Sequence, residues 1–265
     1  MMKTRFCVAT IGIQINDLIL DGAWGKFKAN CENSINLFSV SKLNSFLECY
    51  HIEGFELKSN ISHMYKYGTS ILFADKKWNN ILILCDNTDA IDTFLIQTFY
   101  THAVQRNMIQ IHSSMVDYLG KGMLFLGPSG IGKTTMAKLW NKYRGGMIIN
   151  GDMNFVQETD DSFLGWGTPW HGSSPYCENT NVPVQAMIVL KQTPENSIRE
   201  LTGFEKVTAV SNNVFYPRWL ENGMELCLET LDHLLTKVPV YELSCRPDED
   251  AVRLTEETIF GKSVI

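Results

Sequence analysis

The string Gly127-Pro128-Ser129-Gly130-Ile131-Gly132-Lys133-Thr134 constrains this chain more than any other feature. It satisfies every fixed position of the G-x-x-x-x-G-K-[ST] phosphate-binding loop. Such a loop works only between a strand and a helix. The apolar run Met123-Leu124-Phe125-Leu126 precedes it as a buried strand, and Thr134-Thr135-Met136-Ala137-Lys138-Leu139-Trp140 comes after it with helical character. Glycines let backbone N–H groups close on phosphate oxygens, and the helix start adds its positive dipole end. Gly127, Ser129, Gly130, Ile131, Gly132, Lys133, Thr134 and Thr135 are therefore the expected nucleotide contacts. Lys133 is expected at the β- and γ-phosphates, and the Thr134 hydroxyl at a bridging Mg²⁺.

The segments around the loop exclude an all-parallel sheet. Residues 109–118 alternate as a strand, and Leu119-Gly120-Lys121-Gly122 turns the chain back into the loop-bearing strand as an antiparallel pair. Residues 153–157 and 162–166 are two strands with only Thr159-Asp160-Asp161 between them, too short for a parallel crossover. The sheet is therefore expected to be mixed, in an α/β fold. Further strands are expected at 146–150, 184–190 and 238–243, with helices at 224–237 and at 247–260, the latter with Pro247 in its first turn.

The first 88 or so residues read differently. Short apolar or alternating segments at 5–15, 54–58, 63–67, 70–74 and 80–85, separated by turn residues, predict a small β-rich unit. A helix over 89–107, capped by Asp89, links this unit to the region of the phosphate loop. The expected organisation is a β-rich N-terminal domain with linking helix over 1–104 and a nucleotide-binding catalytic domain over 105–265.

Composition narrows the function classes. With 45% hydrophobic residues in 265, the chain can bury a large core. A net charge of −6 without a basic run argues against a nucleic-acid or membrane surface. No apolar stretch reaches the length of a membrane helix, and the N-terminus reads as a strand and not as a signal peptide. Seven scattered cysteines without a C-x-x-C pair suit a reduced cytoplasm.

Three positions near the loop carry further chemistry. Asp152 comes after the apolar strand Met147-Ile148-Ile149, where a carboxylate reaches a metal or a nucleophile's proton; its alternative is a turn cap in Asn150-Gly151-Asp152. His112 lies on the strand paired with the loop-bearing one, placed for proton transfer or for a phosphoryl oxygen. The Gly- and Trp-rich stretch around Trp170, His171 and Gly172 reads as a fixed loop that contacts a substrate, with its tryptophans as packing anchors.

The order Ile111-His112-Ser113-Ser114, then the phosphate loop, then Ile148-Ile149-Asn150-Gly151-Asp152 resembles the HPr serine kinase/phosphorylase-like kinases, whose core is shared with ATP-dependent phosphoenolpyruvate carboxykinases. The likeness spans residues 105–260. It includes the Gly167-Thr168-Pro169-Trp170-His171-Gly172 segment and Cys245-Arg246-Pro247-Asp248, typical of small HPr-kinase-like proteins that include precursor-peptide kinases. The resemblance implies a mixed-sheet P-loop core, ATP with Mg²⁺, transfer of the γ-phosphoryl group to a serine-type hydroxyl of a peptide or protein, and a homo-oligomer. His112 then matches the catalytic-site histidine, and Asp152 the second of a tandem Asp pair at the metal and base position. Gly151 stands where the first Asp is expected, and the HPr-docking loop is not recognisable. Two alternatives remain beside a phosphotransferase: a nucleotide-binding regulator, and a carboxykinase-like enzyme acting on a small acid.

Overall fold

The structure, a computed structural model, describes residues 3–20, 22–40, 61–85 and 87–261. The strand expected at 54–58 lies outside them. The chain is mixed α/β and divides into two units, Met1–Ala103 and Val104–Ile265, each built on its own mixed sheet.

The N-terminal unit holds β1 (Lys3–Val8), β2 (Ile11–Asn16), a 3₁₀ turn (Gly22–Phe27), β3 (Asn33–Val40), β4 (Ile61–Tyr67), β5 (Ser70–Asp75), β6 (Asn80–Leu84) and most of α1 (Thr88–Val104). Its six strands run in the order β1-β2-β3-β6-β5-β4. The single segment expected at 5–15 is a hairpin, because Ala9 and Thr10 both take positive φ and reverse the chain. The parallel pairs β2–β3 and β3–β6 make the sheet mixed. Helix α1 is capped earlier than expected. Asn87 Oδ1 accepts the Ala90 N–H at 2.8 Å, and Asp89 falls inside the first turn, where its charge faces the positive helix end.

The C-terminal unit contains β7 (Met108–Tyr118), β8 (Lys121–Leu126), α2 (Lys133–Arg144), β9 (Met147–Asn150), β10 (Met153–Glu158), β11 (Phe163–Trp166), β12 (Asn181–Gln192), β13 (Ser197–Glu200), α3 (Gly203–Ser211), β14 (Val214–Phe215), α4 (Gly223–Lys237), β15 (Val240–Cys245) and α5 (Glu249–Phe260). Antiparallel β7–β8 and β10–β11 pairs stand beside a parallel β8–β12–β15 core, the mixed arrangement that the short turns demand. Pro247 does not open α5. Asp248 is the N-cap and accepts the Ala251 N–H at 3.0 Å, which leaves Pro247 just outside the helix.

Strand β7 changes partners along its length. Its first half pairs with β10 and β14, its second half with β8 and β9. Because His112 faces Met153 and Met115 faces Asn150, the residues Ser113 and Ser114 lie opposite a break in the neighbouring strand formed by Gly151 and Asp152. On one face of the sheet, Trp140 and Met136 of α2 and Val252 of α5 pack with Val116, Phe125 and Ile188 in the core. That packing fixes the strand, loop and helix on which the site is built.

Candidate functional site

The loop joins β8 to α2, with Gly130 and Gly132 at φ of 80° and 113°, a region closed to most side chains. Gly132 is the N-cap of α2 and no side chain caps the helix. The first helical bond runs from the Met136 N–H to the Gly132 carbonyl at 2.9 Å, so the N–H groups of Lys133, Thr134 and Thr135 face outward as an anion cradle. Lys133 is 6% exposed and donates to the Gly127 and Pro128 carbonyls at 2.9 and 3.2 Å. Burial holds its pKa below the ordinary lysine value, opposed by the Asp152 charge.

The break in the strand beside β7 supplies the rest. His112 Nε2 donates to Asp152 Oδ1 at 3.0 Å, with the two side chains 25% and 28% exposed, open enough to meet a ligand. Asp152 is therefore not the turn cap. That role belongs to Asn150, whose Oδ1 accepts the N–H groups of Asp152 and Met153 at 2.8 and 3.0 Å. The Thr134 hydroxyl donates to the Gly151 carbonyl at 3.2 Å, and the buried Ser114 hydroxyl donates to the same oxygen at 2.8 Å. With its proton so directed, the Thr134 oxygen turns lone pairs outward, as a metal ligand must.

The loop after β11 lies over this turn. Asn150 Nδ2 donates to the Thr168 and Trp170 carbonyls at 2.9 and 3.0 Å, and the Gly151 N–H reaches the Tyr176 carbonyl at 3.2 Å. Gly172, at φ of 56°, comes so close that a Cβ there would stand 2.4 Å from Asp152 Oδ2. Trp170 is buried, whereas His171 turns its Nδ1 to the Ser174 carbonyl of its own loop. Of the three loop residues singled out by sequence, Gly172 meets the Asp152 carboxylate, Trp170 is an anchor, and His171 bonds within the loop.

A cleft of about 540 Å³ extends from the loop. Gly130, Gly132, Thr135 and Met136 form one side; the last three residues of β12 with Thr193 and Pro194, and Cys245 at the end of β15 with Arg246 and Pro247, form the other. It opens beyond the carboxyl ends of parallel strands, where α/β sheets hold ligands, and its size suits a nucleoside. Burial, with Asp248 adding to it, pushes the Cys245 thiol up to about 11, so it lines the cleft as a neutral group.

Asn213 had no signal in the sequence, and nothing there assigned a role to Ser114 or Ser174. Asn213 Oδ1 accepts the Gly127 N–H at 2.9 Å while its backbone carbonyl accepts the His112 N–H at 2.8 Å, so one residue joins the loop to β7.

Among the described residues no group of three His, Cys, Asp or Glu side chains is placed to hold a metal ion. The donors fit Mg²⁺ in its nucleotide-bound form, which takes one or two protein oxygens and draws the rest from phosphate and water. Thr134 and Asp152 would supply those oxygens. Among the described residues no helix is long and apolar enough to cross a membrane.

Among solved structures, the HPr(Ser) kinase/phosphatase from Coxiella burnetii is similar over 57% of this chain and 93% of its own, at 12% identity and a TM-score of 0.34. No protein-family model matches the chain, and no curated protein matches it.

Proposed function

We propose that the chain is a Mg²⁺-dependent ATP phosphotransferase that moves the γ-phosphoryl group to a serine-type hydroxyl of a peptide or protein. The observation that carries this reading is the His112–Asp152 pair, 3.0 Å apart, one residue from the carbonyl on which Thr134 of the phosphate loop rests. A loop that only bound phosphate would need no carboxylate–histidine pair beside it.

The chemistry rests on positions. The N–H groups at the start of α2 and the Lys133 ammonium hold the phosphates and take up charge that builds on the transferred group. Lys133 leaves the Gly127 and Pro128 carbonyls to do so. Thr134 and Asp152 would hold Mg²⁺, which neutralises phosphate charge when bound. Asp152 accepts the proton of the incoming hydroxyl, and His112 orients the carboxylate by holding Oδ1. The cleft between residues 190–194 and 245–247 takes the nucleoside.

A regulator that binds nucleotide without transfer is the second reading, supported by Gly151 in place of an acid. Incubation with γ-labelled ATP and serine peptides separates the two. We expect labelled peptide, and a loss of at least about 100-fold in turnover for Lys133→Ala and for Asp152→Asn, the scale of one transition-state charge contact. ATP bound with no labelled product, or near-normal turnover in both variants, overturns the proposal.

A further inference from the structure

The N-terminal unit has a concavity of its own, about 500 Å³, lined by Lys3, Thr4 and Arg5 of β1, Gln14 of β2 and residues 28–30. Every charged residue in the lining is a cation: Lys3, Arg5 and Lys28. Among the described residues the ion pairs engage other cations, and Arg5 donates only to the neutral Gln14 amide, at 3.4 Å. In a chain of net charge −6, three cations on one groove without a carboxylate form a local field that attracts anions.

The backbone sets their spacing. Lys3 and Arg5 are alternate residues of β1, the edge strand of its sheet, so they share one face about 6.8 Å apart. On the other side of β1 from Gln14, Phe6 bridges Lys28 and the Ala29 N–H reaches the Arg5 carbonyl at 3.3 Å, so the third cation lines the groove from the neighbouring segment, in register with Phe6 and out of step with Lys3 and Arg5. An extended polypeptide repeats its same-side residues at the same interval of about 6.8 Å. Acids at alternate positions of such a segment meet Lys3 and Arg5 in step, and Asn30 offers a neutral donor to its backbone.

We propose that this groove binds an extended peptide segment with acidic residues at alternate positions, and that the segment belongs to the phosphate acceptor; the second clause rests on the phosphotransferase reading. A serine side chain offers little surface by itself, and a charged segment held away from it supplies affinity without entering the chemistry.

The probe is a fluorescein-labelled peptide with Glu at alternate positions and no serine, titrated into the full chain and read by anisotropy. The triple variant Lys3→Gln/Arg5→Gln/Lys28→Gln is expected to bind it at least about 10-fold more weakly, and raising salt from about 50 to about 200 mM to weaken wild-type binding. An unchanged melting temperature and ATP affinity show that the variant folds. Unchanged peptide affinity in the triple variant overturns the groove, as does displacement by inorganic phosphate at equal concentration, which marks a general anion site. The Lys133→Ala variant is expected to keep full peptide affinity. A serine-bearing form of the peptide is expected to show a KM about 10-fold below that of its Gln-for-Glu counterpart with the wild type only. Phosphorylation of both forms with equal KM overturns the acceptor assignment and leaves the phosphotransferase reading intact. Phosphorylation of neither overturns that reading together with the acceptor clause, while the binding titration still decides the groove.

Discussion

Gly151→Ala tests how the site is assembled. A Cβ at position 151 would stand 1.9 Å from Ser174 Oγ and 2.4 Å from Ser174 Cβ, and the next neighbour, Ser174 Cα, is at 3.9 Å. Ser174 has little room to yield: it is buried, and the Gly151 N–H to Tyr176 and Glu178 N–H to Ile149 bonds hold the loop on the turn. Overpacking of this kind costs about 1–3 kcal/mol. In a unit of this size each kcal/mol moves Tm by about 2–4 °C, so the variant should melt about 2–12 °C lower. The second-site pattern is more discriminating. Ser174→Ala removes the oxygen but leaves the Cβ clash at 2.4 Å, whereas Ser174→Gly clears both and leaves ordinary contact at 3.9 Å. Ser174→Gly alone costs about 0.5–1 kcal/mol in backbone entropy. The Gly151→Ala/Ser174→Gly double variant should be about as stable as Ser174→Gly alone, a coupling of about 1–3 kcal/mol. Calorimetry on the set of variants provides the measurement. The reasoning fails if Gly151→Ala melts with the wild type, or if Ser174→Ala rescues it as fully as Ser174→Gly.

Ser114→Ala leaves Thr134 as the remaining side-chain donor to the Gly151 carbonyl and loosens its hydroxyl; the Mg²⁺ concentration needed for the ATP-induced melting shift should rise about 5-fold, the worth of one buried hydrogen bond of about 1 kcal/mol. Asp248→Ala removes the cap of α5 and should cost about 1 kcal/mol, read by urea unfolding. The Arg246 hydrogen bond and charge hold the Asp248 carboxyl below its usual range, so its contribution is complete above the unfolded value near 3.9 and disappears as pH falls through the lower folded value. The stability gap between wild type and Asp248→Ala should therefore be constant at neutral pH and close in acid. Glu256→Leu removes the carboxylate that Arg144 and Tyr118 bond at 2.6 and 2.8 Å and leaves Arg144 with Glu249 at 3.6 Å; a loss of about 1–3 kcal/mol in urea unfolding is expected.

The parts of the molecule legible in the sequence are those governed by neighbouring residues. The phosphate loop between β8 and α2, the β7–β8 reversal at Leu119-Gly120 and the β10–β11 hairpin each arise from a local string, and together they require a mixed sheet. His112, Asp152 and Thr134 could be named because their residue types stand out in apolar or glycine-rich surroundings. What brings them together could not. Ser114 meets Gly151 across 37 residues and Asn213 meets Gly127 across 86, contacts that no periodicity encodes. The same holds for Ser174, which fills the space a side chain at Gly151 would need. The nine-residue α3, whose apolar Phe204 and Val207 are exposed, and the two-residue β14 beyond it carry too little pattern to stand out as elements.

Asn150 carries a liability that its structural role conceals. Asn-Gly is the sequence most prone to deamidation, in which the glycine amide nitrogen attacks the asparagine side-chain carbonyl carbon and expels ammonia, giving a cyclic imide that water opens to a carboxylate. In the folded chain both partners are engaged: Asn150 uses its amide nitrogen on Thr168 and Trp170 and its oxygen on the turn, and the Gly151 N–H is bonded to Tyr176. Folding therefore keeps the pair from reacting. Each opening of the turn exposes it, and the resulting carboxylate would face the carbonyls of Thr168 and Trp170 where an NH₂ had been, so the chemical age of a preparation would be recorded at the foot of the site itself.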